Sequence, residues 1–137
     1  MNNINKFIFP SGGKALNKKI LIVEDDKDYF FILKTNFEMA GFSVIVAENG
    51  EEGLNLIEKE KPDLIILDIM MPIMSGFEMA KKMKEKNITI PIIFLTHLKD
   101  ADSMSKALEI TPTDYIVKSD ILPDKIVAEA KKKLGIN

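Results

Sequence analysis

The amino-acid sequence predicts an α/β domain: a doubly wound, three-layer sandwich with helices on both faces of a parallel sheet. Three observations carry that prediction. Five short apolar runs rich in β-branched residues recur along the chain, and stretches with helical period separate them. The 137 residues leave room for one ordinary domain with a sizeable core. An apolar share of 46% with a charged share of 29% belongs to a folded globular chain rather than a disordered one.

Residues 1–17 are polar and broken by Pro10-Ser11-Gly12-Gly13, which predicts a flexible N-terminal tail ahead of a domain spanning 18–137. Ile20-Leu21-Ile22-Val23 is apolar throughout, the mark of a strand buried on both faces. The first helix places Tyr29, Ile32, Leu33, Phe37 and Ala40 on one face, with Asp26 as its N-cap and Gly41 as its stop. Val44-Ile45-Val46 forms the second strand. A helix carrying Gly53, Leu54, Leu56 and Ile57 follows and ends at Lys61-Pro62, because the residue before a proline is pushed out of the helical region.

Leu64-Ile65-Ile66-Leu67 is the third strand, and Ser75-Gly76 opens a third helix with Phe77, Ala80, Lys81 and Met83. Ile92-Ile93-Phe94-Leu95 is the fourth strand, followed by a helix over Ser103–Glu109. Tyr115-Ile116-Val117 is the fifth. The last helix carries Ile126, Val127, Ala130 and Leu134, with Lys131, Lys132 and Lys133 placed favourably against its C-terminal dipole. Strand followed by helix, five times over, calls for right-handed crossovers and a parallel sheet.

Composition narrows the functional classes. All 19 basic residues are lysine and the formal net charge is -2, so the guanidinium forks suited to phosphate or guanine are absent and a nucleic-acid binder is disfavoured. With no cysteine, disulfides and thiolate metal sites are excluded. No apolar stretch approaches the roughly 18 residues needed to span a bilayer, and Phe7-Ile8-Phe9 is too short for a signal-peptide core. A cytoplasmic location is the expectation.

In a parallel α/β sheet, ligands gather beyond the C-terminal ends of the strands. Here those ends carry Glu24-Asp25-Asp26 after strand one, Asp68 after strand three, Thr96 after strand four and Lys118 after strand five. Glu24, Asp25 and Asp68 side by side would repel one another in a low-dielectric cleft, and a hard cation such as magnesium or manganese is the natural compensation. Lys118 ends an otherwise apolar strand, where its amine stabilises either the acids or an incoming phosphoryl group.

Together, Glu24-Asp25, Asp68-Ile69-Met70-Met71-Pro72 with Ser75-Gly76, Thr96, and Tyr115-Ile116-Val117-Lys118 resemble the signature of a response-regulator receiver domain over residues 19 to about 135. The resemblance implies a flavodoxin-like (βα)5 fold with strand order 2-1-3-4-5, in a stand-alone, non-enzymatic phosphoacceptor of a two-component or phosphorelay system. It implies that Asp68 takes a phosphoryl group from a sensor histidine kinase or a His phosphotransfer protein. Magnesium would be bound by Asp25 and Asp68 directly, by Glu24 through water, and by the backbone carbonyl of Met70. Thr96 and Lys118 would contact the phosphoryl group. Tyr115, on the outward side of strand five, would move inward as Thr96 shifts; the plainer alternative is a static, half-buried strand aromatic. With residues 19 to 135 taken up, a DNA-binding output domain is not expected within these 137 residues unless they are a fragment of a longer protein, and the expected output is a contact with another protein.

Several positions depart from the family pattern. His97 stands where a small residue is usual, and its bulk is expected to limit access. Met70 and Leu98 are apolar where polar side chains often orient water, so slow loss of the phosphoryl group is expected. Ser119 replaces the usual proline after the lysine, leaving the Lys118–Ser119 bond either trans or, at about 2.5–4 kcal/mol, cis. Thr111-Pro112 replaces the usual small residues before strand five. Phe30 and Phe31 fall off the core stripe of helix one and are candidate docking residues for the phosphodonor.

Three other functions compete. A phosphohydrolase of the haloacid-dehalogenase type wants a second aspartate at the position held by Met70. A flavin or nucleotide carrier of flavodoxin-like fold wants Ser, Thr or Gly where Glu24-Asp25-Asp26 would repel phosphate. A receiver-like module that binds partners without phosphorylation would lack uptake of phosphoryl groups despite its acceptor residues.

Overall fold

The centre of the sheet is set by the two runs with no polar interruption, β1 (Lys19–Val23) and β3 (Leu64–Asp68). In the computed structural model, which describes residues 15–97 and 115–136, they lie side by side with Ile20 opposite Leu64 and Val23 opposite Leu67. β2 (Ser43–Ala47) flanks β1, and β4 (Ile92–Thr96) followed by β5 (Tyr115–Val117) extends the other side. All pairings are parallel, as the strand–helix alternation predicts, and the order is β2-β1-β3-β4-β5, as the family resemblance implies.

Alternation along each strand sends side chains to two cores. Ile20, Ile22, Leu64, Ile66, Ile93 and Leu95 face α1 (Lys27–Met39) and the last helix, α4 (Pro123–Leu134), meeting Leu33, Phe37, Ile126 and Ala130. Leu21, Val23, Ile65, Leu67 and Phe94 face the other way, against Ile57 of α2 (Gly50–Glu60) and Met79 and Met83 of α3 (Gly76–Glu85). Each fully buried aliphatic side chain contributes about 1.5–3 kcal/mol, so the centre of the sheet is the least deformable part of the fold.

Local chemistry fixes the helix ends. Asp26 caps α1, accepting from the N–H groups of Asp28 and Tyr29 at 3.1 and 3.2 Å. Asn49 caps α2, which stops at Lys61 in the left-handed region ahead of Pro62. Ser75 and Glu78 exchange hydrogen bonds in a capping box at the start of α3. Leu16 already packs against the α1 side of the core and donates its N–H to Gly41 O at 2.8 Å.

Two readings of α1 change. Ile32 is exposed rather than on the core stripe, and Phe30 is half-buried against the core rather than off it. The 100° step between residues puts Phe30 beside Leu33 and Phe37 at i+3 and i+7, and turns Ile32 outward. The helix expected over Ser103–Glu109, the Thr111-Pro112 turn and Leu98 lie outside the described residues, as do residues 1–14 of the expected tail.

Ile73, in the β3–α3 loop, has φ of 68° and is 75% exposed. A β-branched side chain is disfavoured there, and little burial offsets the strain. Ile73→Gly is expected to raise stability by about 1 kcal/mol, read from the midpoint of chemical unfolding; an unchanged or lower midpoint would count against strain at this position.

Candidate functional site

Because all five strands run the same way, their C-terminal ends meet along one edge of the sheet, and four of them deliver polar side chains there. Glu24 follows β1, Asp68 ends β3, Thr96 ends β4 and Lys118 follows β5; all four are buried, the only polar or charged side chains so placed among the described residues. Burial of four such groups is costly unless they pair. Lys118 Nζ sits 2.5 Å from Glu24 Oε1 and 3.5 Å from Asp68 Oδ1. The other oxygen of Glu24 accepts the N–H of Asp26 at 3.0 Å. Glu24 is thus held from both sides, and its principal partner is the lysine.

Asp68 is less well compensated. Its Oδ1 is buried with no hydrogen bond among the described residues, having only the longer ion pair to Lys118. Burial, then the neighbouring Glu24 charge, pushes its pKa from 3.8 up to about 7, against the lowering influence of Lys118. Carboxylate oxygens of Glu24, Asp25 and Asp68 all lie within 4.8 Å of one another, with Asp25 exposed at the mouth. An all-oxygen, net-negative cluster with one under-compensated buried oxygen fits a hard divalent cation, as the sequence suggests.

The surrounding backbone is built closely around Asp68. Gly76 donates its N–H to Ile69 O at 2.9 Å, and a Cβ at Gly76 would collide with the carbonyl oxygen of Asp68. Glycine is required there by close approach, and it brings the N-terminus of α3 against the end of β3. Among the described residues no peptide bond is cis, so the Lys118–Ser119 bond is trans and the chain leaves β5 through a 3₁₀ turn over Lys118–Asp120.

Met70 is 57% exposed and His97 is also exposed, both beside the cluster in sequence. Tyr115 is not on an outward face: it is half-buried, opposite Phe94 in the ladder, with the two rings stacked at 5.5 Å and 27°. Phe31 is 65% exposed on α1, whereas Phe30 is largely committed to the core. Leu98 lies outside the described residues.

Tyr29 is the site residue that the periodicity pattern hides. It reads as one more member of the α1 core stripe, yet Lys118 Nζ lies 4.6 Å from its ring centroid. Its hydroxyl is buried with no hydrogen-bond partner among the described residues. Burial, followed by the charges of Glu24 and Asp68, pushes its pKa up to about 12 and keeps the phenol protonated. The available signal was its place in the first turn of the helix that immediately follows the strand-one acids.

A buried acid cluster facing a lysine at the C-terminal edge of a 2-1-3-4-5 sheet is the arrangement of the receiver-domain class. Residues 20–131 match the profile of the response regulator receiver domain, and the chain belongs to that family. It is 40% identical over 103 residues to the alkaline phosphatase synthesis transcriptional regulatory protein PhoP of Bacillus subtilis, covering 75% of this chain and 43% of that protein. It is 39% identical over 121 residues to the phosphate regulon transcriptional regulatory protein PhoB of Pseudomonas aeruginosa, covering 87% of this chain and 52% of that protein. The chain spans less than half the length of the first of these relatives. Among solved structures, the receiver domain of Francisella response regulator 1452 superposes with a TM-score of 0.77 at 32% identity, over 85% of this chain and 95% of that one. The Thermotoga maritima response regulator TrrA, solved with Mg(2+)-BeF, gives a TM-score of 0.73 at 34% identity, over 84% and 97% of the two chains.

The raised pKa of Asp68 fixes the sign of a pH effect. The folded state holds this proton more tightly than the unfolded chain, so its contribution to stability is full below pH 3.8 and is lost as pH rises towards about 7. Without divalent cations, Asp68→Asn should therefore be more stable than the parent at pH 8, with a ceiling of about 4 kcal/mol, and the gap should close towards pH 4. Chemical unfolding at the two pH values checks this, and equal stabilities at pH 8 would contradict it.

Proposed function

We propose that this chain is the phosphoacceptor of a two-component or phosphorelay system, with Asp68 as the acceptor. The observation that carries the reading is the placement of Asp68: buried at the end of β3, 3.5 Å from the Lys118 ammonium and clustered with Glu24 and Asp25. An Asp68 oxygen attacks the phosphorus of a phosphohistidine, the new O–P bond forms as the P–N bond breaks, and the histidine ring leaves with the electron pair. Such a transfer asks the protein mainly for positioning and charge neutralisation. Lys118 neutralises charge on the phosphoryl oxygens from the β5 side.

Asp25 and Asp68, with the backbone carbonyl of Met70, would hold Mg2+ or Mn2+. Glu24 has both oxygens engaged by Lys118 and Asp26, which suits a role through water rather than direct ligation. When bound, the cation supplies further neutralisation of the acceptor and the phosphoryl group. A positive charge held beside Asp68 would favour its carboxylate form.

Thr96 follows Leu95, the register partner of Asp68, and its hydroxyl would bond a phosphoryl oxygen once one is present. Phe94 lies two residues back on the same face of β4 and stacks on Tyr115, so a shift of the β4 end reaches Tyr115 through packed rings. The output is then a change in the face carrying Tyr115, read by a partner protein. On α1, exposed Phe31 is the better candidate of the aromatic pair for docking a sensor histidine kinase or a His phosphotransfer protein.

Incubation with Mg2+ and acetyl phosphate tests the reading. The intact mass should rise by one phosphoryl group, the gain should vanish in Asp68→Ala, and Lys118→Ala should slow it by on the order of 10²-fold. With apolar, exposed Met70 beside the acceptor, decay of the adduct should be slow and should quicken in Met70→Asn. No mass gain at all would favour a module that binds partners without phosphorylation.

A further inference from the structure

We propose that Tyr29 is a positioning residue for phosphotransfer: its ring face closes the open side of the Lys118 ammonium and holds it against Glu24 and Asp68. The inference rests on Asp68 being the acceptor, but its geometry does not. Lys118 Nζ is buried and has three neighbours of complementary electrostatics: Glu24 Oε1 at 2.5 Å, Asp68 Oδ1 at 3.5 Å and the Tyr29 ring centroid at 4.6 Å. A cation over an aromatic face is attracted by the ring quadrupole, and the attraction is strongest where water is excluded, as it is here.

The ring rather than the phenol makes this contact, because the Tyr29 hydroxyl has no hydrogen-bond partner among the described residues. The ring itself is held by the α1 side of the core, against which Tyr29 packs, and by the first turn of α1, whose Asp26 cap accepts the Tyr29 N–H at 3.2 Å. Lys118 also leaves β5 by a trans peptide into a short 3₁₀ turn. A long, flexible side chain entering from such a turn has several rotamers open to it, and a rigid wall on one side removes those that swing away from the acids. Glu24 alone does not do this. It pairs with the ammonium more closely than Asp68 does, and so pulls it away from the acceptor.

Two readouts decide the matter. In NMR spectra of the wild-type protein, the ε-methylene protons of Lys118 should be shifted upfield by the Tyr29 ring; the shift should persist in Tyr29→Phe and disappear in Tyr29→Leu. In Mg2+-saturated phosphorylation by acetyl phosphate, Tyr29→Phe should stay within about twofold of wild type, while Tyr29→Leu should fall about tenfold in the maximal rate with little change in donor KM. Tyr29→Met serves as the second ring-free variant if Leu disturbs the fold, judged by the amide spectrum.

An unshifted Lys118 signal in the wild type would overturn the proposal, as would equal rates in Tyr29→Leu and wild type. Equal slowing in Phe and Leu would also overturn it, by placing the effect in the hydroxyl. If the wild type takes up no phosphoryl group while the Lys118 shift follows the ring, phosphoacceptance fails and the positioning contact stands.

Discussion

Two carboxylates and one ammonium, all withdrawn from water, share the end of the sheet, and most of what is distinctive about this protein follows from that imbalance. Lys118 neutralises one buried acid fully and the other partly. Removing charges from water costs several kcal/mol per ion unless geometry and hydrogen bonds repay it, and here Glu24 is repaid and Asp68 is not. The cluster therefore holds a protonation equilibrium near neutrality at Asp68 and an unmet demand for positive charge beside it. Under the proposed function, a divalent cation and a phosphoryl group would meet that demand from two sides.

The sheet makes this possible. In a parallel array the strand ends lie together without any long-range contrivance, and burial of β1 and β3 on both faces gives Glu24 and Asp68 a rigid base. Gly76 lets α3 begin directly against the carbonyl of Asp68, which packs the end of β3 closely. On the other flank the lysine follows β5, the shortest strand among the described residues, in a 3₁₀ turn with no side-chain cap. Tyr29 and the Phe94–Tyr115 stack stand on either side of that weaker flank, one against the lysine and the other against the strand.

Much of this was legible in the sequence because period-2 and period-3.6 patterns are direct images of burial. The five apolar runs and the caps at Asp26 and Ser75 fall where the pattern puts them. The identity of the polar strand ends was equally plain, since a lysine after Tyr115-Ile116-Val117 has no reason in packing alone. What the pattern could not convey was partnership. Nothing in Glu24-Asp25 says which acid takes the lysine, because pairing depends on angstrom-scale placement across three strands. Tyr29 was hidden for a related reason: an amphipathic ring satisfies a core stripe and a cation with different atoms. Phe30 and Ile32 exchanged roles because single-residue assignments on a helix face turn on a few tens of degrees.

The central claim is that Asp68 is a buried, under-compensated acid awaiting positive charge. The most direct measurement is the pH titration of its side-chain carboxyl carbon by NMR, without and with saturating Mg2+. A midpoint near 7 without the cation, falling well into the acidic range with it, is the predicted result. A midpoint near 4 in the cation-free protein, or one that Mg2+ leaves unmoved, would contradict it.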